Sequence, residues 1–377
     1  MLSPYYHMTR PTPPRTLSER LERAAPALFI LPAVLIVLLL SLFPLIFSLY
    51  LSLSRLKFEG GGLRLDFVGF DNYRKYIFGN EQKVLVGAQA VPTILGWIIF
   101  VAVVGWFVLG LVRNLRNGRA SVGGVIGRLV NGALLSGLTW LVVSTLFADG
   151  GRPGALVVTL MYVLVGVTLQ YVIGLGLALL CTQQLRGRRF FRVLFLLPMM
   201  ITPVGVGYLF RMMADTNKGP FLPLFNALGL EGFTWANNAW GARIAVMIGD
   251  VWQWTPFMFI VLIAALEAQG IEPVEAAVVD GASSWQVFWN ITLPSILPVS
   301  TTVILIRMIE AFKIIDLPNI LTNGGPGTAT ETMTLYAYRI WKVPDTGGSA
   351  ALGYILLFLV TIVATSFANF ARSRVNV

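Results

Sequence analysis

The stretch EAAVVDGASSWQVFWNITLP, residues 275–294, is a polar interruption between two apolar runs, at about 242–266 and 299–317. Apolar runs of about 20 residues, long enough to cross a bilayer core, recur along the 377-residue chain. Hydrophobic residues make up 56% of the chain and charged residues only 12%, about half the share typical of soluble domains. The sequence therefore predicts an all-α polytopic membrane protein. Runs that do not alternate in polarity exclude an outer-membrane barrel.

Eight spans are predicted, at about 27–53, 94–112, 130–147, 155–181, 190–212, 242–266, 299–317 and 351–371. Arginine and lysine favour cytoplasmic loops and so set the orientation of the spans. Alternation places four arginine-rich segments on one side, which is therefore predicted to be the cytoplasm. Their arginines are Arg10, Arg15, Arg20 and Arg23, then Arg113, Arg116, Arg119 and Arg128, then Arg186, Arg188, Arg189 and Arg192, and finally Arg372 and Arg374.

The predicted segments are a cytoplasmic tail at 1–26, a first span at 27–53, an extracytoplasmic segment at 54–93, a hairpin at 94–150, a core at 155–371 and a cytoplasmic tail at 372–377. The hairpin looks like an insertion, because its removal leaves the orientation of the other spans unchanged. Two loops depart from the positive-inside pattern. Residues 54–93 lie outside with six basic residues against four acidic ones, and the loop 267–298 lies inside with four acids and no lysine or arginine.

The opening stretch predicts a first short helix that starts at Glu272 and Pro273. Proline is tolerated in a first turn, and acids such as Glu275 suit the positive end of the helix dipole. Gly281 suits the residue after the helix, where the backbone is left-handed. The polar stretch is therefore predicted to begin with about two helical turns and a glycine turn.

A second short helix is predicted from Ser284 to about Thr292, ending before Pro294. Ser283 and Gln286 have the spacing of a capping box at its start. A helix, a glycine turn and a second helix in the cytoplasm have two interpretations. One is an interfacial amphipathic loop, and the other is a docking element for a partner protein.

The spacing E-A-A, three residues, G, nine residues and I-x-L-P resembles the signature loop of ABC-importer permeases. Every position matches, at Glu275, Ala276, Ala277, Gly281, Ile291, Leu293 and Pro294. Four further blocks resemble sugar permeases of the maltose and glycerol-phosphate type: VGFDNYRKY (68–76), FRVLFLLPMMITPVGVG (191–207), DVWQWTPFM (250–258) and FKIIDLPNILTNGGPGTATETMTLYAYRI (312–340). The resemblance covers about 54–93 and 155–371, and the hairpin has no counterpart in it.

The resemblance implies a type I ABC-importer transmembrane fold with a six-span core plus the extra hairpin. It implies a permease subunit of a bacterial inner membrane that translocates a sugar or related polyol. The implied partners are a second homologous permease, an ATP-binding-cassette ATPase dimer and an extracytoplasmic solute-binding protein. In that family the signature loop sits in a cleft of the ATPase. The residues that take this coupling role by position are Glu275, Ala276, Ala277, Asp280, Gly281, Ser283, Ile291, Leu293 and Pro294.

The chain is not predicted to be an enzyme. A P-loop needs a lysine directly after a glycine, and none of the six lysines follows one. ATP and magnesium are therefore assigned to the partner ATPase, and no cofactor and no catalytic residue to this chain. His7 and Cys181 are the single histidine and cysteine, so a multi-histidine metal site and a disulfide within the chain are excluded. The net charge of +10 is attributed to orientation in the lipid bilayer, not to nucleic-acid binding.

A row of charges in the seventh span is one candidate for the substrate pathway. Arg307, Glu310, Lys313 and Asp316 are spaced by three and alternate in sign, so neighbours can pair along one helix face. One interpretation is a neutral row that holds helices together. The other is that at least Lys313 and Asp316 face an aqueous path, because charges inside spans are costly and often functional.

The start of the sixth span is a second candidate. Trp252 and Trp254 offer ring faces for sugar C–H groups, and Asp250 and Gln253 offer hydrogen bonds to hydroxyls. The alternative is an aromatic belt at the membrane interface. Tyr208, near Pro203 and Gly205, is a further candidate, because proline and glycine break helices where backbone lines a cavity.

The segment 321–332 is predicted to lie outside, either as a flexible turn or as part of the surface that meets a loaded binding protein. Two other classes of function stay open for the whole chain. One is an ion- or proton-coupled secondary transporter that uses the charged row. The other is a membrane assembly subunit without transport activity. The secondary transporter would need no partner ATPase and no signature loop.

Overall fold

The computed structural model describes residues 29–59, 62–116, 122–183, 186–213, 215, 218–229 and 238–375. The elements in chain order are α1 (Phe29–Ser52), β1 (Ser54–Glu59), β2 (Gly62–Phe67), α2 (Asp71–Ile77), α3 (Gln82–Val86), β3 (Gly87–Ala88), α4 (Ile94–Arg116), α5 (Val122–Leu146), β4 (Arg152–Pro153), α6 (Ala155–Thr182), α7 (Arg188–Met200), α8 (Pro203–Met213), α9 (Leu222–Ala227), α10 (Ala239–Glu267), α11 (Glu272–Val279), α12 (Ser284–Ala311), α13 (Asp316–Thr322), α14 (Met333–Lys342) and α15 (Thr346–Val375). The tail 1–26, the first residues of the predicted first span, Arg119 and the side chains of Arg372 and Arg374 lie outside the described part.

Long apolar helices dominate, because inside a bilayer each backbone N–H and C=O group must find its partner within the segment. In the described ranges, seven helices are long and apolar enough to cross a membrane, and the bent pair α7–α8 makes up to eight. The seven are α1, α4, α5, α6, α10, α12 and α15. The predicted all-α polytopic class is confirmed. Two small antiparallel sheets, β1–β2 and β3–β4, are added to it.

The predicted fifth span, 190–212, is not one straight helix. The axes of α7 and α8 differ by 97° at a break of two residues, Ile201 and Thr202. Pro203 opens α8, and a residue before proline is pushed out of the helical region, so the helix cannot continue through Thr202. Ile201 is already extended, with ψ 137°. The sequence contained this signal, but a hydropathy window averages over it.

The bent pair carries the chain from one end of α10 to the other. Near the start of α7, Arg192 forms an ion pair with Glu267 at the last residue of α10. At the end of α7, the backbone oxygen of Ile201 accepts a hydrogen bond of 3.3 Å from Gln253, halfway along α10. The chain then reaches Asn238, at the opposite end of α10. This path describes a broken span and not a re-entrant loop.

The helix after the polar loop also differs from the prediction. The short helix that starts at Ser284 does not end before Pro294 but continues through a π-helical turn, Phe288–Thr292, to Ala311. A proline inside a helix removes one backbone hydrogen bond, and local π-helical geometry accommodates this in membrane helices. The predicted span 299–317 is therefore wrong at both ends. Asp316 begins a separate helix, α13.

The core lies where α6, α10 and α12 meet. A Cβ added at Gly174 of α6 would lie 2.6 Å from the Cβ of Met258 in α10, so the glycine allows the two backbones to approach closely. The buried side chains of this cluster include Val163, Met258, Phe259, Leu262 and Phe312. Close packing of the three helices fixes the relative positions of the polar side chains they carry.

The segments after α1 and before α15 meet at one end of the bundle. Asn72 of α2 donates hydrogen bonds of 2.8 and 2.9 Å to the backbone oxygens of Ser52 and Ser54. A Cβ added at Gly347 would lie 2.1 Å from the oxygen of Ser54, so α15 starts in direct contact with the same place. From there α15 runs away along α1, and Tyr354 donates a hydrogen bond to the oxygen of Leu45.

Candidate functional site

The polar loop 267–298 begins with α11, whose first turn holds Pro273 and two acids. Its end is a Schellman motif. The N–H of Gly281 donates to the oxygen of Val278 at 3.0 Å, and that of Ala282 donates to the oxygen of Ala277 at 2.9 Å. Gly281 has φ +83°, the left-handed conformation predicted for it. A side chain at this position would be strained even though there is open space around it.

The second helix starts with the predicted capping box. Gln286 donates its backbone N–H to the hydroxyl of Ser283, and the side-chain oxygen of Gln286 accepts from the backbone N–H of Ser283 at 2.8 Å. The two reciprocal bonds satisfy two backbone groups that a helix start leaves open. Ser283 thereby fixes the direction in which α12 leaves the glycine turn.

The loop presents an apolar surface to its surroundings. No residue of α11 is buried. Val279 is 85% exposed, and Trp285, Val278 and Trp289 are also exposed. The three aromatic rings at the start of α12 contact one another, with Trp285 and Trp289 at 5.5 Å between ring centroids. The nine residues assigned a coupling role are exposed or half-buried. Exposed apolar side chains beside carboxylates and no basic residue form a surface suited to a partner.

A buried polar cluster of Gln170, Asp250 and Arg307 joins α6, α10 and α12. Arg307 donates to both carboxylate oxygens of Asp250, at 2.7 and 2.8 Å, and to the side-chain oxygen of Gln170 at 2.9 Å. Gln170 in turn donates to Asp250 at 2.8 Å. The three side chains close a ring of hydrogen bonds, and none of the three residues is more than 3% exposed. Such complete pairing is what makes a charge pair tolerable inside a membrane.

The charged row of the seventh span does not pair along one helix. Arg307 pairs across the bundle with Asp250, while Glu310 and Lys313 form an exposed pair at 2.7 Å between Oε1 and Nζ. Asp316 stands at the start of α13. The predicted sequential pairing is therefore correct for Glu310 and Lys313 alone. The helix end at Ala311 explains the rest, because residues beyond it leave the helical register.

A cavity of about 170 Å³ lies beside the buried polar cluster. It brings together five of the seven residues predicted for the substrate pathway and adds Arg307 and Glu310. The five are Asp250, Gln253, Trp254, Lys313 and Asp316. The ring centroid of Trp254 lies 4.7 Å from the Arg307 guanidinium carbon, a cation–π contact that holds the indole in place. The cavity walls therefore come from α10, α12 and α13, with Pro203 of α8.

Gln253 is the cavity residue with an unsatisfied hydrogen-bond acceptor. It is 3% exposed and its nitrogen donates to Ile201. Its side-chain oxygen has no hydrogen-bond partner among the described residues. An unpaired buried acceptor costs free energy, and its position on a cavity wall suits a ligand hydroxyl. Asp250 was also predicted to accept hydrogen bonds from substrate hydroxyls, but its carboxylate oxygens already accept hydrogen bonds from Arg307 and Gln170.

Two predicted pathway residues lie apart from the cavity. Trp252 packs edge-on against Phe210, with 5.5 Å between ring centroids, on another face of α10. Residues two positions apart in a helix point in directions about 200° apart around its axis. Trp252 and Trp254 therefore cannot line the same wall of the cavity. Tyr208 of α8 is 56% exposed and does not line the cavity. Gln170 was missed, although a lone glutamine inside the apolar run 155–181 was a visible signal.

The segment 321–332 is folded, contrary to a flexible turn. Thr330, Glu331 and Thr332 are buried, and Thr332 donates to the oxygen of Ile314 at 2.8 Å. Arg339 of α14 forms an ion pair with Glu331. Burial raises the pKa of the Glu331 carboxyl, and the charge of Arg339 opposes that shift. The segment is held in place by these buried side chains and bonds, and it lies at the end of the bundle opposite the loop 267–298.

Comparison with known proteins gives a family match over more than half of the chain. A family model described as "Binding-protein-dependent transport system inner membrane component" matches residues 170–377. The trehalose/maltose transport system permease protein MalF of Thermococcus litoralis is 34% identical over 218 residues, which cover 57% of this chain and 74% of that protein. The sn-glycerol-3-phosphate transport system permease protein UgpA of Rhizobium meliloti is 27% identical over 237 residues, 62% and 80% of the two chains.

Solved structures share the fold over nearly the full length. A bacterial ABC transporter involved in the import of the acidic polysaccharide alginate aligns with a TM-score of 0.59 at 16% identity. The alignment covers 95% of this chain and 98% of that chain, so it includes the hairpin α4–α5. A complex of bacterial alginate ABC transporter with a periplasmic protein bound to an alginate pentasaccharide gives 0.61 at 15% identity. At such identities the likeness concerns the fold alone.

Proposed function

Because this chain belongs to the family of inner-membrane components of binding-protein-dependent transport systems, we propose that it translocates a sugar or related polyol in an ATP-driven importer. The cargo would be delivered by an extracytoplasmic binding protein, and ATP would be hydrolysed by a separate subunit. The family membership confirms the resemblance inferred from residues 275–294. The observation that carries the proposal is the exposed helix pair that this stretch forms.

The loop 267–298 has the properties expected of a mechanical coupling element. Its two ends continue directly into spans, because α10 ends at Glu267 and α12 runs without interruption from Ser284 to Ala311. A displacement of the loop is therefore transmitted to residues deep in the membrane, including Arg307. An ATPase cleft that closes on the loop would move α12 as a rigid body. The missing lysine and arginine side chains fit a positively charged cleft.

The cavity offers a place for part of the cargo. Its wall supplies an unpaired acceptor at Gln253 and the indole of Trp254, which suit hydroxyl and C–H groups respectively. Its charges pair off, Arg307 with Asp250 and Lys313 with Glu310, while Asp316 has no described partner. A cavity with this balance favours an uncharged, hydroxyl-rich cargo over an anionic one. The two relatives named above include one of each kind: the trehalose/maltose permease is named for uncharged sugars, and the glycerol 3-phosphate permease for an anionic compound.

Further subunits are required by this mechanism. A second homologous permease, which the resemblance implies, would supply the other half of the pathway, since this chain lines the cavity with α8, α10, α12, α13 and the segment between the last two. The firm outer segment 321–332 would form part of the contact with the binding protein. An ion-coupled transporter is a weaker proposal, since the charges of the span are held in pairs and the signature loop would then have no role.

Reconstituted uptake tests the proposal. The chain, its ATPase and its second permease are placed in proteoliposomes with the loaded binding protein outside and ATP inside. We expect sugar uptake that requires ATP, the ATPase and the binding protein together. An ion gradient without nucleotide should give no uptake. Uptake that continues without nucleotide would overturn the importer assignment in favour of ion coupling.

A further inference from the structure

The hairpin α4–α5 is fastened to the rest of the chain at one end. The N–H of Ala90 donates to the oxygen of Ser144 at 2.9 Å, and that of Thr93 donates to the oxygen of Phe147 at 2.7 Å. Strands β3 and β4 pair just beside these bonds. This end lies with the segment that follows α1. The last turns of α4 and the first turns of α5 are at the opposite end of the bundle.

A groove separates the turn end of the hairpin from α15. It encloses about 940 Å³, and its walls come from the last turns of α4, the start of α5 and the last turns of α15. The apolar lining is formed by Trp106, Phe107, Leu109, Leu111 and Phe370. Trp106 and Leu109 are 62% and 71% exposed. Trp106 and Leu109 lie within about two helical turns of Arg113, so acyl chains of a lipid bound at that arginine would reach them.

The mouth of the groove is positively charged. Arg113, Arg116 and Arg128 line it together with the polar side chains of Asn131 and Asn369. All three arginines are exposed, and no described residue forms an ion pair or hydrogen bond with any of them. The segments that form the two walls contribute no carboxylate, because residues 94–148 and 346–377 contain no aspartate or glutamate. Three arginines therefore line this groove without a counter-charge from either wall.

We propose that the hairpin groove binds an anionic phospholipid, with its phosphate on Arg113, Arg116 and Arg128 and its acyl chains against α4 and α15. Arginine binds phosphate oxygens through paired N–H donors, and basic pockets between membrane helices are suited to anionic head groups. A soluble phosphate would use the arginines but leave the apolar wall exposed. The lipid fills the space between the hairpin and the core and so joins them at the end where the backbone does not.

The same arginines also explain the side on which the site lies. Their segment is one of the arginine-rich segments that the positive-inside pattern assigns to the cytoplasm. Anionic lipids give the inner leaflet its negative surface potential, and a juxtamembrane arginine gains from it. The occupant is thus argued from charge complementarity and from the apolar wall together. Neither feature depends on the proposed cargo.

Native mass spectrometry of the full chain in mild detergent tests the proposal. The chain is mixed with equal amounts of phosphatidylglycerol and phosphatidylcholine that carry the same acyl chains, and the bound lipids are counted. We expect the chain to retain phosphatidylglycerol preferentially. The triple variant R113Q/R116Q/R128Q should lose this preference by about tenfold or more. Equal retention of the two lipids by the unaltered chain would contradict the proposal.

The matched control removes the same number of charges elsewhere on the same side. Arg186, Arg188 and Arg189 are exposed, lie at the α7 end of the bundle and do not line the groove. The variant R186Q/R188Q/R189Q should keep the preference for phosphatidylglycerol. Loss of the preference in both triple variants to the same degree would mean attraction to surface charge alone and would overturn the site.

Two further variants separate lipid loss from misfolding and from a protein occupant. R113K/R116K/R128K keeps the charge and should retain most of the preference. Ser366→Trp places a bulky side chain in the groove and leaves the arginines intact, so it should expel the lipid. If Ser366→Trp instead leaves the bound lipid unchanged, or releases a copurifying protein chain while lipid stays, the groove is not the lipid site.

Discussion

The loop 267–298 and the buried polar cluster are connected by one helix, α12, and differ in burial and in how far their side chains are paired. In the loop, α11 has no buried residue and large apolar side chains are exposed. In the cluster, Arg307, Asp250 and Gln170 satisfy one another and none is more than 3% exposed. The cluster is complete within this chain. The loop is a surface that needs another molecule to cover its apolar side chains.

Because of this difference, substitutions in the two regions should have different effects. A change in the cluster acts on the fold, because it leaves a charge without its partner inside the membrane. A change in α11 or in the glycine turn after it acts on the partner, because no residue of α11 is buried. Helix α12, which is continuous from Ser284 to Ala311, connects the loop to the buried polar cluster. Loss of stability and loss of coupling should therefore be separable.

The largest effect is expected for Arg307→Met. It leaves the carboxylate of Asp250 buried with only Gln170 as a partner, which costs about 3–5 kcal/mol in free energy of unfolding. Unfolding in detergent with increasing denaturant measures the loss. The double variant Arg307→Met with Asp250→Leu removes both charges and should recover most of the stability. A double variant no more stable than the single one would show that the cluster is held by other contacts.

The next effect is expected for Gly281→Val. A β-branched residue at φ +83° is strained by about 1–2 kcal/mol, so the angle between α11 and α12 should change. ATP-driven uptake and retention of the ATPase should both fall, while insertion of the spans and thermal unfolding of the bundle stay close to wild type. Gly229 is the matched control, because it has φ +68° with open space around it and lies outside the loop. Gly229→Val should leave uptake intact.

A smaller effect is expected for Ser283→Ala. It removes the capping hydroxyl and should loosen the first turn of α12 by about 1 kcal/mol. Hydrogen exchange of the amides at 284–287 should become faster, with exchange in α10 unchanged. Ser283→Asp keeps a cap and should restore slow exchange. If Ser283→Ala exchanges like wild type, the capping box is not what orders this turn.

The smallest effect is expected for Gln253→Leu in the cavity. It removes the unpaired acceptor, and the loss of one hydrogen bond to a neutral hydroxyl should lower cargo uptake at limiting concentration by about threefold to tenfold. Trp252→Leu is the control on the opposite face of α10 and should leave uptake unchanged. Assembly with the ATPase should be normal in both. Equal uptake by the two variants would remove the cavity from the pathway.

The features that were predictable from the sequence depend on residues close together in the chain. The left-handed Gly281, the Ser283 capping box and the spans are set by neighbours within one or two turns. The buried polar cluster joins residues 57 and 80 positions from Asp250, and only packing of three helices brings them together. Sequence spacing suggested Arg307 with Glu310 instead. The break at Thr202 was signalled by Pro203, and the separation of Trp252 from Trp254 by helical periodicity.

We propose that another protein, the ATPase, covers the exposed face of α11. Cys181 is the single cysteine and is buried, so Val279→Cys introduces one exposed thiol on that face. Its labelling rate with a maleimide is measured for the chain alone and for the chain with its ATPase bound. We predict protection of about tenfold or more, and no change for Phe78→Cys, which is at the opposite end of the bundle and whose parent side chain is 79% exposed. Equal labelling of Val279→Cys with and without the ATPase would show that the ATPase does not cover this face.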